Sequence, residues 1–390
     1  MSFLPLSLYV HLPWCVRKCP YCDFNSHTAG AGTDKTRYLA ALREDIAAES
    51  RRAGDRPVQT VFLGGGTPSL FSAAEIDQLI CAIRSSLRLS DNAEITMEAN
   101  PGTVERDSLG AYRQAGINRL SLGAQSFCDR SLERLGRIHT AADIIRAWRE
   151  AKTAGFDNIN LDLMFALPGQ DVDMAVDDIR QAIALGPAHI SWYQLTLEPN
   201  TVFHARPPTD LPDDELSWAM EERAQELLRD AGYRQYETSA FARPGCRCRH
   251  NLNYWQFGDY LAIGAGAHGK ITDRDGQVWR YSKPAHPLTY MIKTEQGDPG
   301  HEAQRLGAGD LAFEYMLNAL RLLEGFREGD FEQRTGLPWS HAAEGIERAI
   351  RLGLIERLAE AVWAPTGRGR RFLNDLQALF LPGRYSQQEA

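Results

Sequence analysis

The strongest constraint on the fold is an alternation. Short apolar runs at Leu6–Leu12, Val58–Leu63, Glu94–Glu98, Ile117–Leu122, Phe156–Met164 and Ala188–Leu195 read as strands. Tyr38–Arg52, Ala73–Leu87, Val104–Ala115, Ala141–Ala154, Asp173–Leu185 and Asp213–Ala231 read as helices, with Ser72 placed to cap the second. Strand-then-helix units in series demand parallel strands, because the helix returns the chain to the start of the neighbouring strand. Crossovers of one hand let such strands curl, so the expected fold is α/β, a partial TIM-like barrel of (β/α)6 type. Tyr233–Phe241 reads as an added edge strand.

The pattern stops near residue 242, which closes a first domain over residues 1–242. Residues 243–300 are rich in Gly, aromatics, Cys and His; through Gly269 they show no clear period. Asp298–Leu306 is polar and reads as a linker. Residues 305–385 then read as a small C-terminal domain, helical at Asp310–Leu323, Glu344–Leu352 and Gly369–Leu379. A hairpin between Ile355 and Pro365 makes it resemble a winged helix.

Charge limits the partners. The 43 basic residues face 51 acidic ones, so the net charge is −8 and no whole-chain field attracts nucleic acid. The basic run Arg368–Arg371 suits a solvated helix start, with a partner protein or an anionic membrane surface as the alternative. No apolar run approaches the ~20 residues of a membrane helix, and Met1–Val10 lacks the basic start of a signal peptide. The expected location is cytoplasmic, where seven cysteines point to metal or redox chemistry rather than a disulfide scaffold.

Three of those cysteines, Cys15, Cys19 and Cys22, crowd into one loop directly after the first strand. Three thiolates on one loop can ligate three irons of a cubane [4Fe–4S] cluster and leave the fourth iron without a protein ligand. A zinc site completed by His11 or His27 is the alternative, and three unrelated thiols are another. Gly64, Gly65 and Gly66, followed by Thr67 and Pro68, end the second strand. Glycines there let backbone groups approach a ligand's ammonium and carboxylate, though a plain turn explains them equally well. Glu98, Gln125 and Asp162 end or follow strands, and Arg137 lies beyond the fourth. At the C-terminal ends of barrel strands such residues line the active face, whereas singly each suits a cap or a solvated position.

The C-x3-C-x2-C spacing, with Tyr21 before the last cysteine, resembles the motif of the radical S-adenosylmethionine (SAM) superfamily. More narrowly, the chain resembles the oxygen-independent coproporphyrinogen III oxidases and their HemW heme-chaperone relatives over nearly its whole length. Tyr9–Cys15, the glycine loop, Met97–Pro101, Leu122–Phe127 and Asn160–Gly169 carry that resemblance. It implies a radical-SAM barrel in which Cys15, Cys19 and Cys22 hold the cluster. It also implies SAM contacts from Tyr9, Gly65, Gly66, Thr67, Glu98, Gln125, Arg137 and Asp162. The acidic side chains suit ribose hydroxyls and Arg137 suits the SAM carboxylate. In this superfamily one electron, from a separate donor, splits the sulfonium to a 5′-deoxyadenosyl radical.

Phe24 stands where the oxidases carry a further cysteine, and only 14 residues precede Cys15. Both features match the chaperones and argue against decarboxylation of coproporphyrinogen. His250, Asn251, Tyr254 and Trp255 resemble the chaperones' HNxxYW motif, which makes His250 the expected axial ligand of heme iron. The bland alternative is an aromatic patch sealing the barrel, with His250 satisfied internally. Cys246, Cys248 and His250 form C-x-C-x-H, which reads as reduced thiols beside a histidine, with metal or covalent heme attachment as alternatives. Cys81 and Cys128 read as structural, and His189 and His268 as packing residues. The implied partners are heme, an acceptor protein (a membrane respiratory protein among the candidates) and an electron donor. A homodimer that forms with cluster or SAM is a further expectation.

Overall fold

The computed structural model describes residues 4–102, 108–299 and 302–382. The six expected strands all form, as β1 (Leu6–Leu12), β2 (Val58–Gly65), β3 (Leu89–Ala99), β4 (Arg119–Gln125), β5 (Asn158–Phe165) and β6 (His189–Gln194). They lie side by side in chain order and in parallel. β1 is buried along almost its whole length, as a parallel strand covered on both faces must be. Ser72 caps its helix through a reciprocal box with Glu75, and Thr140 does the same with Asp143. Of the expected helix Val104–Ala115, residues 104–107 lie outside the described residues and Leu109–Gln114 is helical.

Beyond β6 the chain departs from the sequence expectations. Tyr233–Phe241 is not one strand but an antiparallel hairpin of β7 (Arg234–Glu237) and β8 (Ala240–Ala242) along β6. The stretch without a clear period folds back to the opposite edge. Its helix Arg249–Trp255 leads into β9 (Asp259–Ile263), a seventh parallel strand laid beside β1. β10 (His268–Thr272), β11 (Val278–Ser282) and β12 (Glu302–Arg305) extend that edge antiparallel. The presumed linker is thus partly an edge strand: its polar residues face solvent, while its backbone pairs with β11.

Buried ion pairs pin this extension to the barrel. Lys283 Nζ reaches Asp45 Oδ1 at 2.6 Å and Glu49 Oε1 at 2.8 Å on helix Lys35–Ala53. Asp259 accepts from Arg56 Nη2 at 2.8 Å and Lys270 Nζ at 3.0 Å.

The C-terminal part has its own core, which also takes in Phe257 and Val278 from the extension. It comprises helices Ala308–Ala319, Glu328–Thr335 and Ser340–Arg351 and a three-stranded wing of Phe326–Arg327, Ile355–Ala359 and Val362–Pro365. The expected helix Gly369–Leu379 is two short ones, Gly367–Arg371 and Leu373–Ala378, and Arg371 stacks 4.2 Å over Trp218.

Candidate functional site

One cavity of about 260 Å³ touches Cys15 after β1, Gly65 of β2, Glu98 of β3, Gln125 of β4, Asp162 of β5 and Tyr193 of β6. Residues from six successive strands meet around so small a space only if the sheet curls. Cys19, Cys22, Gly66, Thr67 and Arg137 complete the set that the sequence reading brings together here.

The cysteine loop is anchored rather than free. Trp14–Cys15 pairs with His27–Thr28 as a short parallel ladder. Thr67 Oγ1 donates to Cys15 Sγ at 3.4 Å, and Arg137 Nη1 to Cys19 Sγ at 3.7 Å. Burial raises the Cys15 and Cys22 thiols, so binding iron must displace their protons. His11 is not available as a metal ligand: Nδ1 bonds Tyr9 OH at 3.1 Å and Nε2 bonds Asn25 O at 2.8 Å. Among the described residues no three His, Cys, Asp or Glu side chains converge as one metal ion requires. A cubane asks for no such convergence, because its irons take one thiolate each from separated sulfurs.

The glycine loop is shaped by close approach. Gly65 has φ +108°, and a Cβ there would lie 2.3 Å from the His11 ring; one on Gly66 would lie 2.6 Å from Trp14 O. Opposite it stand two carboxyls. Glu98 Oε2 accepts from Gly65 N at 3.2 Å, and burial together with the nearby Asp162 pushes its pKa up to about 8. Asp162, also raised by burial, accepts from Ser121 Oγ and Asn160 Nδ2, each at 2.8 Å. Gln125 ends β4 at φ +68°, a conformation that costs a non-glycine residue energy and that aims its amide. Its Oε1 accepts from Tyr193 OH at 2.7 Å.

Two residues escaped the sequence reading. Asn100 links Thr67, at 2.9 Å to Oγ1, with Arg137, joining the glycine loop to the cation. Tyr193 fixes Gln125. Both occupy C-terminal strand ends, a position that was the available signal. With thiols, a guanidinium, two carboxyls and an amide around one space, the cavity suits a ligand that carries carboxylate, ammonium and hydroxyl groups.

Tyr9 and His250 stand apart from it. Tyr9 lines a second cavity beside the first. His250 lies below, 1% exposed, inside the barrel against Phe62 of β2, 5.1 Å between ring centroids. Its Nδ1 pairs with Thr60 Oγ1 at 2.7 Å and its Nε2 with Tyr254 OH at 2.9 Å. Glu94 accepts from the Arg249 and His250 amides at the start of their helix. In this arrangement His250 has no free ring nitrogen. Cys248 is fully buried, its thiol pushed up to about 11 by burial.

Residues 9–182 match the Radical SAM superfamily, and residues 308–372 match the HemN C-terminal domain. Heme chaperone HemW of Haemophilus influenzae is 50% identical over 97% of this chain and 98% of its own length. Heme chaperone HemW of Escherichia coli is 48% identical with the same coverage. Among solved structures, the E. coli coproporphyrinogen III oxidase HemN superposes with a TM-score of 0.82 over 97% of this chain and 91% of that one. Its 24% identity makes it evidence of fold alone. With near-complete coverage and half of all positions identical, the chain belongs to the HemW family of the radical SAM superfamily.

Proposed function

We propose that this protein is a cytoplasmic heme chaperone that binds heme and delivers it to an acceptor protein. In this reading Cys15, Cys19 and Cys22 hold a [4Fe–4S] cluster and the cavity beside them takes exchangeable SAM. The observation that carries the reading is 50% identity to a heme chaperone over 97% of this chain, with the exposed phenyl ring of Phe24 at the rim of the cysteine cavity. A cluster bound there would supply the electron for SAM chemistry. The residues around it bind and orient: Glu98 and Asp162 face hydroxyls, Arg137 a carboxylate, and the glycine loop the methionine backbone.

Titration of the purified chain with hemin should give a saturable Soret shift, and its absence sinks the reading. Anaerobic incubation with SAM, reductant and coproporphyrinogen III should leave the substrate intact. Catalytic formation of protoporphyrinogen IX would replace chaperone by oxidase.

A pH dependence should accompany SAM binding. Glu98 in the free protein holds its proton until about pH 8, and the SAM sulfonium favours the ionised carboxylate. Binding therefore releases a proton below that pH, and affinity rises as pH rises toward 8, by up to about tenfold per unit. Isothermal titration at about pH 6.5 and 8, in buffers of different ionisation enthalpy, measures the released proton. Glu98→Gln should flatten the trend; an unchanged slope in that variant would refute the assignment.

A further inference from the structure

The second cavity, of about 550 Å³, is the size of pocket that takes a large organic ligand. It opens between the cysteine loop and the β9–β11 extension and shares Phe24 with the first cavity. Tyr9, Tyr254, Trp255 and Tyr260 give it aromatic walls suited to a flat apolar macrocycle.

Two imidazoles line it; both ring nitrogens of His11 are engaged, by Tyr9 OH and Asn25 O, and strand register brings His268 to it. Tyr260 pairs with Lys270 across antiparallel β9 and β10, so His268 lies opposite Ala262, which pairs with Tyr9. Tyr9 in turn pairs with Phe62. His268 therefore occupies the Tyr9–Phe62 row, and alternation puts it on the same sheet face as Lys270. Because β10 runs against β1, that row lies nearer the cysteine loop than the Ser7–Thr60 row, where His250 is bonded. His268 is exposed and lines the cavity. Partial burial and Arg280 lower its pKa, which keeps the ring in the neutral form that binds iron.

Resting on the heme-chaperone reading, we propose that heme is held in this lateral cavity with His268 as an axial ligand of its iron. Tyr254 and Trp255 of the HNxxYW segment then serve as walls of the pocket. His250 is a positioning residue that fixes the Tyr254 hydroxyl from beneath.

The test is titration of the full chain with hemin, read by Soret absorption and by EPR of the ferric complex. Wild type and His250→Gln, which keeps a side chain able to bond Thr60 and Tyr254, should both show the nitrogen-ligated signature. His268→Ala should lose it and bind hemin about tenfold or more weakly, and free imidazole should restore the signature. Circular dichroism verifies that each variant is folded. Loss of the signature in folded His250→Gln with retention in His268→Ala overturns this site and leaves the chaperone reading intact. No binding by wild type overturns both.

Discussion

Lys283→Met is expected to destabilise the folded chain by ~3–5 kcal/mol, the cost of removing one partner from a buried ionic cluster. The side chains of Lys283, Asp45 and Glu49 are each at most 1% exposed. Tyr290 OH and Tyr281 OH donate to Asp45 Oδ2 at 2.8 Å and Glu49 Oε2 at 2.7 Å, and the partly exposed Arg52 Nη1 also reaches Glu49 Oε1 at 2.8 Å. Asp45 already lies above the usual carboxylate range because burial outweighs the pull of Lys283, and without the lysine it rises further. An acid whose pKa is raised by folding contributes stability below its unfolded pKa, and that contribution is lost as pH rises through the folded value. The deficit of the variant should therefore be largest at neutral pH and shrink toward pH ~4, where unfolded carboxylates also take protons. Urea unfolding at both pH values measures this. Neutralising all three groups together, with Asp45→Asn and Glu49→Gln added, should recover much of the loss. A single variant within ~1 kcal/mol of wild type at pH 7 would show that the extension is held by packing alone.

Cys15→Ala should cost the cluster outright, lowering reconstituted iron from about four atoms per chain to below about one. Cys15 receives the Thr67 hydroxyl and lies in the short ladder with Thr28, so its position is set by backbone pairing. No other thiol can stand in. Cys81 is exposed on helix Ala73–Ser86, Cys248 is buried beneath the barrel, and neither Cys128 nor Cys246 lines the cavity. SAM binding should vanish with the iron, because its amino and carboxylate groups lose their metal. Hemin binding should survive, since His268 and the aromatic walls lie on a different cavity. Full iron content in the alanine variant would contradict the three-thiolate assignment. Simultaneous loss of hemin binding would instead tie the two cavities into one site.

The barrel and the cysteine cavity were legible because their information is local. Short apolar runs set β1 to β6 and helical spacings the helices between them, and Ser72 with Glu75 marks a helix start within a single turn. Glu98, Gln125 and Asp162 could be assigned to one face because each lies toward the C-terminal end of a parallel strand, and all parallel strands end on the same side. The polar stretch Glu302–Arg305 was misread for the opposite reason: an exposed edge strand needs backbone pairing but no apolar pattern. His250 drew attention through its motif and His268 did not, although His268 reaches a cavity and His250 does not. Their difference is one row of strand register.

By itself, then, the order of residues established parallel α/β units and a loop that gathers three cysteines, since both follow from spacing along a few turns of chain. Tertiary structure decided that Asp259–Ile263 lies beside Leu6–Val10, and so that His268 rather than His250 meets the open cavity. Strand pairing joins segments far apart in the chain through backbone hydrogen bonds that are the same for every side chain, so its register is not written in any local pattern.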